Sequence, residues 1–269
     1  MKLDKAEQGT INNSKILLAA IAIILILILA INVVNWLEGP SVINGVQAQK
    51  VTNIKVLIFN GQGVMEESVA GIEDSLNDTN NQNLTPYYHF NYSTTNIINL
   101  KTLSAYDVLI MPGGDASTYI KSDDIDSEAI KQFVSGGKGY LGICAGAYVA
   151  SNYIDEYYPG WGIASDVNSK NENYEGMLSV SMTSYGKRML SESSLQNLHM
   201  ENGPAMYTNN SQIIMATYAD NKTGYQNYAA ILGENYGNGR VLLSSPHPEM
   251  NPQNPQLLAN MIIWAAKKI

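Results

Sequence analysis

The longest apolar run of the chain lies near its start. From Ile16 to Leu37 there are 22 residues without a charge, and the first 16, ILLAAIAIILILILAI, carry no polar side chain. At about 1.5 Å per residue such a helix spans ~33 Å, enough to cross a hydrocarbon layer of roughly 30 Å. Residues 38–53, EGPSVINGVQAQKVTN, have the Gly, Pro and polar content of a linker. From Ile54 short apolar runs alternate with amphipathic stretches. IKVLIFN (54–60) predicts a buried strand, GQG a turn and EESVAGIEDSLN a helix. YYHFNY (87–92) and DVLIMPGG (107–114) predict two more strands. A helix over 126–135 stops at Gly136-Gly137, KGYLGI (138–143) predicts a strand, and AGAYVASNY (145–153) the helix behind it. Strands alternating with helices predict a doubly wound α/β fold, its mostly parallel sheet covered on both faces.

Later segments are richer in strands. GMLSVSM, GPAMYT, SQIIMATYA, YAAILGENY and GRVLLSSPH are separated by turn residues, among them the hairpin signal Asn238-Gly239. NPQLLANMIIWAAKK predicts a closing amphipathic helix with Lys267 and Lys268 at its favourable end. The organisation expected is an N-terminal segment (1–15), a membrane segment (16–37), a linker (38–53) and one α/β domain (54–269).

Two readings fit the apolar segment, an uncleaved anchor and a removed signal peptide. A signal h-region is typically ~7–15 residues long with its cleavage site close behind. Here the run is longer, and the candidate site Val46–Ala48 lies well past it, which favours the anchor. Lys2, Lys5 and Lys15 precede the segment, Glu38 is the first charge after it, and no basic residue follows until Lys50. The positive-inside bias then keeps residues 1–15 in the cytoplasm, with Trp36 at the far interface. The expectation is a single-pass cell-membrane protein with an extracytoplasmic domain.

Net charge narrows the partners. The chain of 269 residues carries −8 with a pI near 4.9, and past residue 37 there are 13 basic and 22 acidic side chains, a net of −9. No broad basic face is available, so nucleic acid is excluded as a partner. Six N-x-[ST] sequons start at Asn12, Asn77, Asn83, Asn91, Asn209 and Asn221. With 29 asparagines this barely exceeds the roughly four expected by chance, so glycosylation has weak support.

The only cysteine, Cys144, stands in GYLGICAGAYVAS (139–151). In an oxidising compartment it either pairs between chains or is free for a reason. A strand running into a helix through Gly-x-Cys-x-Gly has the arrangement of a nucleophile elbow, a turn so tight that Gly142 and Gly146 must lack side chains. The thiol then sits at a helix N-terminus, which favours the thiolate. The competing reading is a packed, inert cysteine at a glycine-rich turn.

A thiol nucleophile needs a base, and the histidines are His89, His199 and His247. His247 follows the apolar strand RVLL in SSPHPEM, where Pro246 and Pro248 bias their predecessors toward extended geometry. Residues two apart then point the same way, so Glu249 reaches the imidazole. The plainer reading of HPE is a proline-rich turn with a solvated acid. His89 is expected in a strand and His199 in a loop, both without catalytic duty. No histidine pair has ligand spacing and Cys144 has no neighbouring ligand, so neither metal nor cofactor is expected. MPGG ends a strand at the carboxyl edge of the sheet, where Gly113 and Gly114 can turn backbone amides toward an oxyanion, with the Ala145 amide as a further donor. An ordinary βα turn is the alternative.

Together MPGG, GICAGAY and HPE, in this order, resemble the class I glutamine amidotransferase-like superfamily, of flavodoxin-like architecture. YLGICAGAYVAS and NGPAMY (202–207) are similar, more closely, to the amidotransferase-like domain at the N-terminus of some biotin-protein ligases. The resemblance covers about 54–269. It implies Cys144 as nucleophile, His247 as base, Glu249 as its partner, and Gly114 with Ala145 in the oxyanion hole. Glutaminases of the superfamily follow the elbow with a substrate-contacting Gln; here Tyr148 takes that place as the substrate-facing residue, which argues against glutamine. No ligase catalytic motif is present, so biotin ligation is not expected of the chain. The expected activity is a cysteine hydrolase or amidase acting on a small amide or peptide-like substrate. The alternative is a non-catalytic binding or regulatory module. Residues 152–162, NYIDEYYPGWG, are expected either as an aromatic wall over the site or as a self-packed surface loop.

Overall fold

The structure is a computed structural model describing residues 50–268. The membrane segment, its flanks, most of the linker and the Asn12 sequon lie outside the described residues. Among the described residues no helix is long and apolar enough to cross a membrane.

In chain order the elements are β1 (Thr52–Phe59), α1 (Glu66–Asn81), β2 (Tyr88–Thr95), α2 (Leu100–Leu103), β3 (Val108–Met111), α3 (Ala116–Lys121) and α4 (Ser127–Ser135). There follow β4 (Gly139–Ile143), α5 (Ala145–Ala150), β5 (Ser151–Ile154), β6 (Tyr158–Pro159), β7 (Ala164–Lys170), β8 (Glu175–Met182), α6 (Ser184–Leu190) and β9 (Leu195–Glu201). The remainder is β10 (Ala205–Tyr207), β11 (Ile214–Tyr218), β12 (Ala229–Tyr236), β13 (Gly239–Ser244) and α7 (Pro255–Ala265). β2-β1-β3-β4-β13 pair in parallel, and β12, β10, β7, β5 and β6 extend the sheet beyond β13. β11, β8 and β9 branch from β12 in antiparallel pairs.

Helices cover both faces of the parallel half, which is why its inner strands β3, β4 and β13 read as continuous apolar runs, while the edge strand β2 is largely polar and exposed. Ile54, Val56, Ile58, Val108 and Ile110 pack on one side with Val69, Ile72 and Leu76 of α1 and with α7. Their alternates Leu57, Phe59, Leu109 and Met111 pack on the other side with Ile130, Phe133 and Val134 of α4. Period-two alternation along each strand thus feeds two cores. α1 carries Glu66 and Glu67 in its first turn, where acids complement the helix dipole. α7 is capped by Asn254, which accepts from Leu257 N, and has Pro at its first position.

Three local expectations change. The helix behind Cys144 ends at Ala150, because Ser151 begins β5 against β7. α7 is buried all round from Leu257 to Ala265 and not amphipathic, since it lies between the sheet, α1 and α6. The β12–β13 hairpin turns on Gly237-Asn238, one residue earlier than the Asn-Gly signal. Gly237 supplies the positive φ of 58° at the first loop position, as a type II′ turn requires.

Candidate active site

The parallel strands β1, β3, β4 and β13 end on one edge, and the segments leaving them build the site. At the end of β4, Cys144 adopts φ 50° and ψ −105° and caps α5. A non-glycine residue in this region is strained by ~1–3 kcal/mol and persists only where its surroundings impose it. They do so here. A side chain at Gly142 would collide with the Gly146 carbonyl, and one at Gly146 with the Met111 carbonyl. Tyr140, fully buried, donates its hydroxyl to Gly146 O at 2.7 Å, and Cys144 N–H bonds to Ser244 O on β13 at 2.9 Å.

From β13 the chain continues to His247, whose N–H bonds to His199 O at 2.8 Å. His199 is therefore not in a loop: it lies on β9, with its ring centroid 6.2 Å from that of His247. His89 lies on β2. His247 and Glu249 are both fully buried, with Nδ1 and Oε1 2.8 Å apart. They meet across a turn at 248–249 and not along an extended run. Gly113 sits against the imidazole, where a Cβ would lie 2.5 Å from Cε1. Burial disfavours the imidazolium, but the Glu249 carboxylate and the Cys144 side chain outweigh it and push His247 up to about 10. Its Nε2 is buried without a hydrogen-bond partner, while the thiol points to Glu201 O at 3.3 Å.

The glycine loop after β3 divides differently from the sequence expectation. Gly113 N–H is donated to Ser68 Oγ at 3.0 Å, so this amide is engaged and does not face an oxyanion. Gly114, at φ 156°, bridges Val64 and borders the cleft beside Cys144. Ala145 opens α5, where first-turn amides lack intrahelical acceptors. Behind the loop, Ser68 Oγ donates to Glu249 Oε1 at 2.6 Å, and Tyr119 Oη lies 3.3 Å from the Pro112 and Gly113 carbonyls.

A cleft of about 600 Å³ opens over Cys144. Met65, Ile120, Tyr148, Ile154, Tyr158 and Pro159 give it an apolar lining, and Asp115, Lys121, Asn171 and Glu201 also border it. The β5–β6 hairpin thus forms part of the wall. Its Asp155 and Glu156 turn, both at positive φ, is held by Asn171 and by Lys170, which pairs with Glu156 at 2.5 Å. Tyr148 is buried with its hydroxyl oxygen accepting from Glu172 N at 3.3 Å; burial and then the Cys144 charge push its phenol above the ordinary range. Burial likewise raises the Glu172 carboxyl, whose Oε2 has no hydrogen-bond partner. Among the described residues no group of three or more His, Cys, Asp or Glu is placed to hold a metal ion.

Ser68, Tyr119 and Glu201 were not singled out by sequence. A serine in a first helical turn or a glutamate at a strand end carries no local signal of its partner, which lies up to 181 residues away.

Comparison with known proteins finds likenesses over part of the chain. Residues 54–161 match the family described as biotin-protein ligase, N terminal, a span that includes Gly113, Gly114 and Cys144 and stops before His247. The chain is similar to a biotin--protein ligase of Schizosaccharomyces pombe, 26% identical over 227 residues, covering 76% of this chain and 35% of that protein. It is also similar to the imidazole glycerol phosphate synthase subunit HisH of Helicobacter hepaticus, 39% identical over 59 residues, 20% of this chain and 27% of that one. The chain therefore spans about a third or less of the length of these curated relatives. Among solved structures, PurLQS from Thermotoga maritima covers 79% of this chain and 98% of its own at a TM-score of 0.54 and 12% identity, a likeness of fold. Over residues 54–161 the chain thus matches the biotin-protein ligase N-terminal family model, and its α/β fold is similar to that of PurLQS.

Proposed function

We propose that Cys144, His247 and Glu249 act as nucleophile, base and orienting carboxylate in the covalent hydrolysis of a small amide or peptide-like substrate. One observation carries this reading: a strained, glycine-framed thiol stands beside a buried imidazole whose Nδ1 is committed to Glu249 and whose Nε2 is unspent. His199 Nε2 likewise has no hydrogen-bond partner, but His247 combines a free Nε2 with an Nδ1 committed to a buried carboxylate and with the thiol beside it. Cys144 Sγ attacks the substrate carbonyl and forms a C–S bond. The oxyanion is held by the Gly114 and Ala145 amides. His247 passes the thiol proton to the departing amine, leaving a thioester, and water then releases the acid and restores the thiol. No external oxidant or cofactor enters.

The cleft suggests the substrate class. Its apolar lining and the engaged Tyr148 hydroxyl suit an amide with an apolar body better than the charged ends of free glutamine. Asp115 and Glu201 on the border disfavour an acidic substrate. Residues 16–37 support tethering to a membrane with the domain outside the cytoplasm.

The thiol's contact with Glu201 O favours a second reading, a binding or regulatory module with the elbow at rest. Iodoacetamide alkylation of Cys144 followed against pH separates the two. The hydrolase reading expects reaction well below the midpoint of an ordinary thiol, about 8.5, and loss of that advantage in His247→Ala. An ordinary profile, unchanged by His247→Ala, points to the module.

A further inference from the structure

We propose that Ser68 is a positioning residue that locks the Glu249 carboxylate and the Gly113 loop into one unit behind the His247 ring. The inference rests on the nucleophile and base reading above. Ser68 is fully buried, and its hydroxyl is used twice: it donates to Glu249 Oε1 at 2.6 Å and accepts from Gly113 N at 3.0 Å. One oxygen thus joins α1, the turn after β3 and the turn after β13. Glu249 Oε1 receives both Ser68 Oγ and His247 Nδ1, and Oε2 has no partner, so these two are the hydrogen bonds that orient the carboxylate.

The helix is shaped to the same glutamate a second time. Gly71, one turn beyond Ser68, lies where any side chain would collide with Glu249 O, with Glu249 Cγ only 3.3 Å from the position of a Cβ. Residues three apart share a helix face, so Ser68 and Gly71 together form the seat of Glu249. Ser75, also buried on α1, has a hydroxyl with no partner. Burial of a serine on this helix therefore does not by itself bring hydrogen bonds, and those of Ser68 are specific to its place.

Losing the hydroxyl frees the carboxylate to turn away from Nδ1. The imidazolium is then held less well, and with it the thiolate of Cys144. Other titratable groups facing the thiol and this cluster are Tyr119 from α3, Tyr148 from α5, His199 and Glu201 from β9 and Tyr218 from β11; the substitutions below change none of them.

The test is the pH profile of iodoacetamide alkylation on the folded full chain, with mass reporting the one thiol. Ser68→Ala should move the midpoint up by about one pH unit, a roughly tenfold loss of rate at fixed pH below it. Ser68→Thr should stay near wild type. If Ser68→Ala does not fold, Ser68→Thr against the isosteric Ser68→Val decides the matter: Thr near wild type with Val shifted supports the role, and coincident profiles overturn it. A folded Ser68→Ala with the wild-type profile overturns it too, whatever its melting temperature. If His247→Ala leaves the wild-type profile unmoved, the base reading falls and this inference with it. A His247-dependent profile that Ser68 variants leave unchanged sinks the inference alone.

Discussion

Gly113→Ala tests the placement of the imidazole directly. The atoms nearest to an added Cβ belong to one ring: His247 Cε1 at 2.5 Å, Nδ1 at 3.3 Å and Nε2 at 3.5 Å. Gly113 is outside the left-handed region, so alanine meets no backbone strain there. Carbon atoms pack at about 3.5 Å or more, so the ring must retreat by roughly 1 Å while tied to Glu249 at 2.8 Å. Overpacking of this kind costs about 1–3 kcal/mol, against ~0.4–1 kcal/mol gained because alanine restricts the unfolded chain. In a His247→Ala background the clashing atoms are gone, and Gly113→Ala should be neutral or stabilising by ~0.4–1 kcal/mol. The cycle therefore carries a coupling of about 2 kcal/mol, well above the ~0.3–0.5 kcal/mol scatter of independent sites. Urea denaturation of the four proteins at one pH measures it. Additive effects would show that the ring does not stand against Gly113, and the site geometry would be wrong.

Two further outcomes follow from buried groups. Gly146→Ala drives a Cβ into the Met111 carbonyl at a buried position and should destabilise by ~3 kcal/mol, with loss of native thiol reactivity; a stable, normally reactive variant would refute the elbow. Burial, then the Asp166 charge, raises Glu234 to about 7. A raised carboxyl favours the folded state below the unfolded value near 4.5, and that contribution is lost as pH rises through 7. Allowing for solvent screening this amounts to about 1–2 kcal/mol, so Glu234→Gln should raise Tm at pH 8 by roughly 3–6 °C and leave pH 4 unchanged. Equal gains at both pH values would refute the assignment.

The apolar runs IKVLIF, VLIM and GYLGI, together with the helices between them, marked the inner strands of the parallel half from sequence alone, because strands covered on both faces are apolar along nearly all of their length, with Lys55 near the exposed start of β1 as the exception. Gly-x-Cys-x-Gly likewise dictated the elbow, since only a missing Cβ permits so tight a turn. Local pattern failed where the partner is distant. Leu195–Glu201 alternates polar and apolar, yet its place beside His247 depends on the β8–β9 pair branching from β11. The commitment of Gly113 N–H to Ser68 is equally invisible, as is the seat that Ser68 and Gly71 offer Glu249. Sequence determined which residues had the chemistry and the conformational freedom. Which donor met which acceptor was decided by the packing of α1 against the sheet, because a hydrogen bond is specified by two positions and each alone is silent about the other.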